Sequence, residues 1–283
     1  MKQLLVSATL LFCVSLTAAE IPSSWTKPVD PVRIVGNIHY VGTAELGAYL
    51  LVGDEGAILL DVPLEENASL VLKNIEALGV DPATVRILLN SHAHFDHAGG
   101  IAAVKKATGA RLFLSAPDSE LAARGGLNDF AFGDRVPYPP FAPDSILKDG
   151  ETVRLGDLAM TAVFTPGHTR GCTTWRTTVV ENDEPLDVVF LCSVTAPGYT
   201  LVDNEKYPEI LDDYRRSFET LRGIDPDVFL ANHGSFFDLT TKVQQLKAGK
   251  GNPFIVRGEF ASYLTTAWKQ LEDEVAKQSA SCH

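Results

Sequence analysis

The chain has 283 residues, a formal net charge of −12 and 45% hydrophobic residues. This length suits one large domain, and no Gly/Ser-rich linker, charge block or tandem repeat divides it. No basic cluster interrupts the acidic balance, which argues against nucleic-acid phosphates as substrate or partner.

The first 19 residues predict a secretory signal peptide. Lys2 is followed by an apolar run from Leu4 to Leu16, and small residues at 17–19 precede Glu20. The run is too short for a permanent membrane anchor, so we expect residues 20–283 to form an exported, periplasmic domain.

Strands and helices alternate along the remaining chain. The hydrophobic pattern predicts a β-hairpin over 48–62, a helix over 67–78, a strand over 85–90, a helix over 101–106 and a strand over 111–114. It next predicts a helix over 117–124, an aromatic- and proline-rich loop over 128–143, and strands over 151–155, 158–164, 173–180 and 187–192. A helix over 209–222, a strand over 227–231 and a C-terminal helix around 260–275 complete the pattern. Two β regions with helices outside predict a single domain of the α/β class, a four-layer αββα sandwich.

Three cysteines follow the predicted signal peptide: Cys172, Cys192 and Cys282. An odd number leaves at least one thiol free or bonded to another molecule. The sequence does not decide whether Cys172 and Cys192 form a disulfide, and we expect them to pack as small apolar side chains.

The segment 91–100 contains the pattern H-x-H-x-D-H directly after a predicted strand. Neutral imidazole and carboxylate are ligands that zinc prefers. On an extended backbone His92 and His94 point the same way, whereas Asp96 and His97 break that alternation. This one segment can therefore supply ligands to two adjacent metal ions.

Two further histidines lie at predicted strand ends. His168 follows a strand and a Pro-Gly turn, and His233 closes a later strand before a glycine. Active sites of α/β proteins form at such strand ends, so both are candidate ligands. We interpret His39 as a strand residue and His283 as part of the terminus.

The H-x-H-x-D-H motif, a later T-P-G-H at 165–168 and the last strand ending in His233 resemble the metallo-β-lactamase superfamily over about residues 30–278. Finer stretches at 122–126, 138–140 and 196–199 resemble its subclass B3. The resemblance implies two Zn²⁺ ions. It assigns His92, His94 and His168 to the first, and Asp96, His97 and His233 to the second.

Ser193 is the position that distinguishes branches of this superfamily. The resemblance places a bridging Asp there in hydrolases of thioesters, lactones and phosphodiesters, and a Cys in another β-lactamase subclass. Serine is a poor zinc ligand, so His97 would bind the second zinc, as in the B3 pattern. A shift of one residue would bring Cys192 to the metal, but strand alternation sends Cys192 to the opposite face.

The resemblance implies a metallo-β-lactamase that hydrolyses the amide bond of penicillins, cephalosporins and carbapenems and confers antibiotic resistance. The signal peptide predicts a periplasmic location, and we expect a monomer. Zinc-activated water would attack the carbonyl, with Asp96 orienting the nucleophile and Tyr199 helping to polarise the carbonyl. Ser193 and Thr195 would bind the substrate carboxylate, or else only nearby backbone. The alternatives are an exported lactonase or ester hydrolase on the same fold, and a zinc-binding protein without catalysis. The complete ligand set argues against the second of these.

Overall fold

The computed structural model describes residues 21–249 and 251–281. The predicted signal peptide at 1–19, Cys282 and His283 lie outside the described residues, so these interpretations stay predictions. Within the described ranges, no helix has both the length and the apolar character needed to cross a bilayer.

In the described part of the chain, twelve strands form two sheets. The first sheet contains, in spatial order, β1 (Val32–Val35), β2 (Ile38–Tyr40), β3 (Tyr49–Gly53), β4 (Gly56–Leu60), β5 (Val85–Leu89), β6 (Arg111–Leu114) and β7 (Ser145–Ile146). The second contains β12 (Val228–Ala231), β11 (Glu184–Leu191), β10 (Thr173–Glu181), β9 (Leu158–Phe164) and β8 (Thr152–Leu155). Strands β4 to β7 pair in parallel, as do β11 and β12, and the other neighbours are antiparallel.

Helices cover the outer faces of both sheets. The α-helices of the described chain are α1 (Ala68–Ala77), α2 (Phe95–Ala98), α3 (Ile101–Thr108), α4 (Ala116–Ala123), α5 (Ile210–Arg222), α6 (Leu239–Lys247) and α7 (Glu259–Ser281), of which α2 is a single turn within the motif. Successive side chains of a strand point to opposite faces. In β4, Ile58 therefore lies in the core between the sheets, and Leu59 lies in the core beneath α1 and α3. On the other side, Phe229 of β12 packs against Phe260 of α7, with ring centroids 5.2 Å apart. The four-layer αββα sandwich is confirmed.

Most predicted elements are confirmed within about two residues, and two differences have clear causes. Strands β10 and β11 extend farther than predicted, because only Asn182 and Asp183 form their turn, with φ of 53° and 66°. A two-residue hairpin turn with φ positive at both positions matches the twist of the strands. Helix α6 is absent from the prediction because it buries little apolar surface, with only Leu239 and Lys242 buried.

Cys172 and Cys192 form a disulfide bond, so the expectation that they pack as small apolar side chains is wrong. Cys172 directly precedes β10 and Cys192 directly follows β11. The antiparallel pairing of these strands brings the two Cα atoms to 5.9 Å, a separation that a disulfide can bridge. The bond therefore depends on strand register, which the sequence pattern does not specify.

Candidate metal centre

The six predicted metal ligands lie together at one edge of the sandwich, beyond the carboxyl ends of three strands. Strand β5 leads to the motif at 92–97, β9 to His168 and β12 to His233. Strands β9, β11 and β12 run in the same direction because β10 is antiparallel to both of its neighbours. The Thr173 N–H donates to the Ser91 carbonyl at 2.8 Å and joins the end of β5 to the second sheet. Residues distant in sequence therefore meet at one site.

Two buried carboxylates hold the motif segment in shape. Asp61 accepts hydrogen bonds from the Ser91 N–H at 2.6 Å and from the Asn90 amide at 2.7 Å. Asp118 accepts from the Ala93 N–H at 2.9 Å and also from the Gly171 N–H at 3.0 Å. It thus connects the motif to the loop that carries the next ligand. The backbone turns into α2 after His94, which separates the first two histidines from the remaining motif ligands.

The first ligand group consists of His92, His94 and His168, all buried. His94 Nδ1 lies 3.2 Å from His168 Nε2, and the ligand atoms of all three residues lie within 4.8 Å of one another. The buried Nε2 of His92 has no hydrogen-bond partner. Burial, together with the neighbouring His94, lowers the pKa of His168 to about 3, so this ring is neutral at physiological pH. Neutral imidazoles offer the lone pairs that a metal needs.

The second group consists of Asp96, His97 and His233. His97 Nε2 and His233 Nε2 are 3.1 Å apart, and Asp96 Oδ2 lies 3.3 Å from the former and 3.5 Å from the latter. Although burial opposes ionisation, His97 and His233 hold the pKa of Asp96 well below its usual range. The carboxylate is therefore ionised at neutral pH. The ring centroids of His92 and His97 lie 4.7 Å apart, so the two groups are adjacent.

Both groups fit a tetrahedral zinc ion. Ligand atoms about 2.0–2.1 Å from a tetrahedral centre are about 3.3 Å from one another. The nitrogen–nitrogen distances of 3.2 Å and 3.1 Å agree with this spacing, as do the two carboxylate distances. The imidazole and carboxylate donors and the unpartnered His92 nitrogen also suit a metal rather than a purely hydrogen-bonded cluster.

The residues at 192–195, which follow β11, include no carboxylate. Ser193 is buried, and its hydroxyl lies 3.1 Å from that of Thr195. Cys192 lies behind His92, with its sulfur 3.7 Å from Nδ1, and is bonded to Cys172. Its disulfide and its position on the far side of His92 keep it out of the ligand groups.

The Tyr199 side chain packs against the first group. Its hydroxyl donates to the His168 carbonyl oxygen at 3.1 Å, and its side chain is buried. The predicted loop at 128–143 is a loop in the structure and lies over the same group. The centroid of its Phe132 ring lies 4.9 Å from the ring centroid of His94 and 6.1 Å from that of Tyr199.

The sequence prediction omitted the residues that support the ligands. Asp61 and Asp118 are single acidic residues in ordinary surroundings, and no local spacing distinguishes them from surface acids. Tyr138, whose hydroxyl donates to the Ala93 carbonyl at 2.6 Å, lies in one of the stretches that resemble subclass B3. That stretch is the single sequence signal that pointed to one of these residues.

Comparisons with known proteins give one family. The model of the metallo-beta-lactamase superfamily matches residues 48–233. A Cronobacter sakazakii metallo-beta-lactamase with a HARLDQ motif is 41% identical, with a TM-score of 0.87 over 90% of this chain and 98% of that one. BJP-1, a subclass B3 metallo-beta-lactamase of Bradyrhizobium japonicum, is 35% identical, with a TM-score of 0.87 over 92% and 99%. A sequence relative, the probable metallo-hydrolase YqgX of Bacillus subtilis, is 23% identical over 76% of this chain and 94% of its own length.

Proposed function

Because the chain belongs to the metallo-β-lactamase superfamily, we propose that this hydrolase opens the amide bond of β-lactams with two bound Zn²⁺ ions. One observation carries the proposal: two candidate ligand groups lie next to each other, and the residues that follow β11, at 192–195, include no carboxylate. The second group is complete through His97. A subclass B3 neighbour of 35% identity and another metallo-beta-lactamase of 41% identity support the same substrate class.

When bound, two zinc ions supply an activated water at neutral pH and polarise the scissile carbonyl. The residues of the chain bind the two ions and orient the attacking water. We propose His92, His94 and His168 as ligands of the first ion and Asp96, His97 and His233 as ligands of the second. The free lone pairs of the Asp96 carboxylate also orient the attacking water.

The Ser193 and Thr195 hydroxyls are proposed to bind the substrate carboxylate, since the two hydroxyls lie 3.1 Å apart and the Thr195 carbonyl contacts His168 of the first ligand group. Tyr199 is proposed to polarise the substrate carbonyl. Its hydroxyl donates to the His168 carbonyl in the structure, so this role requires the hydroxyl to turn toward the substrate. Each of these roles makes a separate kinetic prediction.

Export to the periplasm and a role in antibiotic resistance belong to the same proposal. The disulfide between Cys172 and Cys192 supports export, because disulfides persist in oxidising compartments such as the periplasm. Fractionation of cells that express the full chain should recover the processed protein from the periplasm. The same cells should tolerate more β-lactam than cells expressing His92→Ala.

Hydrolysis by purified protein tests the proposal directly. Zinc-loaded protein should hydrolyse nitrocefin, imipenem or both, EDTA should abolish the activity, and added Zn²⁺ should restore it. His92→Ala removes a ligand and should lower kcat/KM by about 10³-fold, corresponding to several kcal/mol of transition-state stabilisation. His39→Ala is the matched control, because His39 lies in β2 and belongs to neither ligand group.

Turnover of lactones or thioesters without turnover of any β-lactam would establish the alternative ester hydrolase instead. Full activity of His92→Ala would overturn the ligand assignment.

A further inference from the structure

Each of the two ligand groups contains one imidazole whose outward-facing nitrogen meets a carboxylate. An imidazole that binds a metal through one ring nitrogen carries its proton on the other. The group that this outer nitrogen meets determines the tautomer and the orientation of the ring. Outer nitrogens that meet hydroxyls or carbonyls are held more weakly than those that meet a carboxylate.

Glu45 lies behind His233 in the second group. His233 Nε2 faces Asp96 and His97, so Nδ1 is the outer nitrogen, and it lies 3.4 Å from Glu45 Oε1. The side chains of Glu45 and His233 are 20% and 17% exposed, so solvent screens this pair only partly. The Gly234 N–H donates to the Glu45 carbonyl at 2.6 Å and holds the two loops together. Glu45 precedes the segment at 48–233 that matches the family.

Asp129 lies behind His94 in the first group, against the opposite ring nitrogen. His94 Nδ1 faces His168, so Nε2 is the outer nitrogen, and it lies 3.6 Å from Asp129 Oδ2. This distance is in the ion-pair range but longer than a hydrogen bond, and the buried Nε2 has no hydrogen-bond partner. The pair is buried, with side chains 3% and 4% exposed. Asp129 Oδ1 also accepts from the Phe132 N–H at 2.7 Å, and the Phe132 ring packs on His94.

The other three histidines have different outer partners in the described chain. His168 Nδ1 meets the Thr195 carbonyl at 2.8 Å, and His92 Nδ1 meets the Ser91 hydroxyl at 3.2 Å. His97 Nδ1 has no hydrogen-bond partner. The carboxylates are thus distributed one to each ligand group.

We propose that Glu45 and Asp129 are positioning residues, one for each metal ion, which set the metal-facing nitrogen of His233 and of His94. Asp129 also connects the first ion to the loop at 128–143. The inference rests on the proposed two-zinc site and adds the residues that tune each ion separately. Loss of such an outer partner typically weakens metal binding about 10–100-fold.

Variants that keep only one ligand group intact allow the two metal sites to be tested separately. His97→Ala leaves only the first ligand group intact, and His92→Ala leaves only the second. Metal-free protein is titrated with Co²⁺, followed by its ligand-field absorption, and with Zn²⁺ in competition with a chromophoric chelator. Asp129→Asn should weaken binding about 10–100-fold in the His97→Ala background and leave the His92→Ala background unchanged. Glu45→Gln should do the reverse, and each change should shift the Co²⁺ spectrum of its own site.

Two matched control variants distinguish an effect on the orientation of the histidine from an effect on the loop that carries the carboxylate. The Ser235 hydroxyl donates to Glu45 Oε1 at 2.5 Å, so Ser235→Ala removes this side-chain hydrogen bond and retains the contact of Glu45 with His233. Asp134 accepts from the Asn128 N–H at 2.7 Å in the same loop as Asp129 and is therefore the control for Asp129→Asn. Both control variants should bind Co²⁺ and Zn²⁺ as tightly as their parents.

Wild-type affinity in Glu45→Gln and Asp129→Asn would overturn the proposal. A loss of metal affinity in the background where the variant should have no effect would also overturn it, as would an equal loss of affinity in the control variants. If Glu45→Gln lowers the melting temperature of the metal-free protein, Glu45→Asp keeps the charge and should recover most of the affinity. These measurements contain no substrate. If the protein binds metal selectively as expected but does not hydrolyse β-lactams, the proposed function is refuted and the roles of Glu45 and Asp129 stand.

Discussion

The disulfide between Cys172 and Cys192 should stabilise the fold chiefly by restricting the unfolded chain. The two cysteines are 20 residues apart in sequence and enclose the β10–β11 hairpin. Loop-closure entropy for a ring of this length corresponds to about 3 kcal/mol at 25 °C. The double variant Cys172→Ala/Cys192→Ala should lose this amount from its free energy of unfolding. With a urea m-value of about 3 kcal/mol/M, the unfolding midpoint should fall by about 1 M.

The assay is urea unfolding of the metal-free protein, followed by tryptophan fluorescence and by circular dichroism. EDTA removes the contribution of bound metal, which would otherwise add to the stability of the folded state. Wild-type protein reduced with a phosphine should unfold at the midpoint of the double variant. A double variant whose midpoint equals that of the oxidised wild type would refute the reasoning.

The same variant distinguishes two effects of the bond. The β10–β11 pairing and the Thr173–Ser91 hydrogen bond do not involve the two sulfur atoms, so we expect both to persist without the disulfide and the ligand groups to keep their geometry. Zinc affinity of the folded variant should therefore match that of the wild type. A loss of zinc affinity would show that the bond also positions the folded site, contrary to the entropic account.

Three further predictions concern single side chains. Burial raises the pKa of Asp61 to about 7, so the stability that its protonated form contributes is present below about pH 4 and is lost as the pH rises through 7. Between about pH 4 and 7, the free energy of unfolding of the metal-free wild type should fall by about 4 kcal/mol because of this group. Urea unfolding of Asp61→Asn at the same pH values should not show this fall. If the free energies of unfolding of the two proteins change in parallel with pH, the assignment is wrong. Tyr199→Phe should lower kcat about 10²-fold if the hydroxyl polarises the substrate carbonyl, whereas an unchanged kcat would mean that it only supports His168. Ser193→Ala and Thr195→Val should each raise KM about 10-fold with little change in kcat, as expected for one lost hydrogen bond to a carboxylate; an unchanged KM would show that these hydroxyls bond only within the protein.

The layers and the ligand candidates could be predicted because their signals are local. The nearly continuous apolar runs of β4 and β5 predict strands buried on both faces, and the motif at 92–97 places four donors within six residues. His168 and His233 each follow a strand, and strand ends in such folds meet at one edge.

The supporting residues could not be predicted because nothing near them in sequence marks their role. Asp118 binds the Ala93 backbone from 25 residues away, and Glu45 reaches His233 across more than half of the chain. Each is one acid among 36 in the sequence. Their partners depend on which loops the two sheets bring together.

The sequence by itself determined the four-layer class, the strand ends and the set of six candidate ligands, because periodicity and motif spacing act within one element. Only the tertiary structure decided which ring nitrogen of each histidine faces its group and which carboxylate lies behind it. It also decided that Cys172 and Cys192 are bonded. These features depend on strand register and sheet packing, where a shift of one residue reverses the face to which a side chain points.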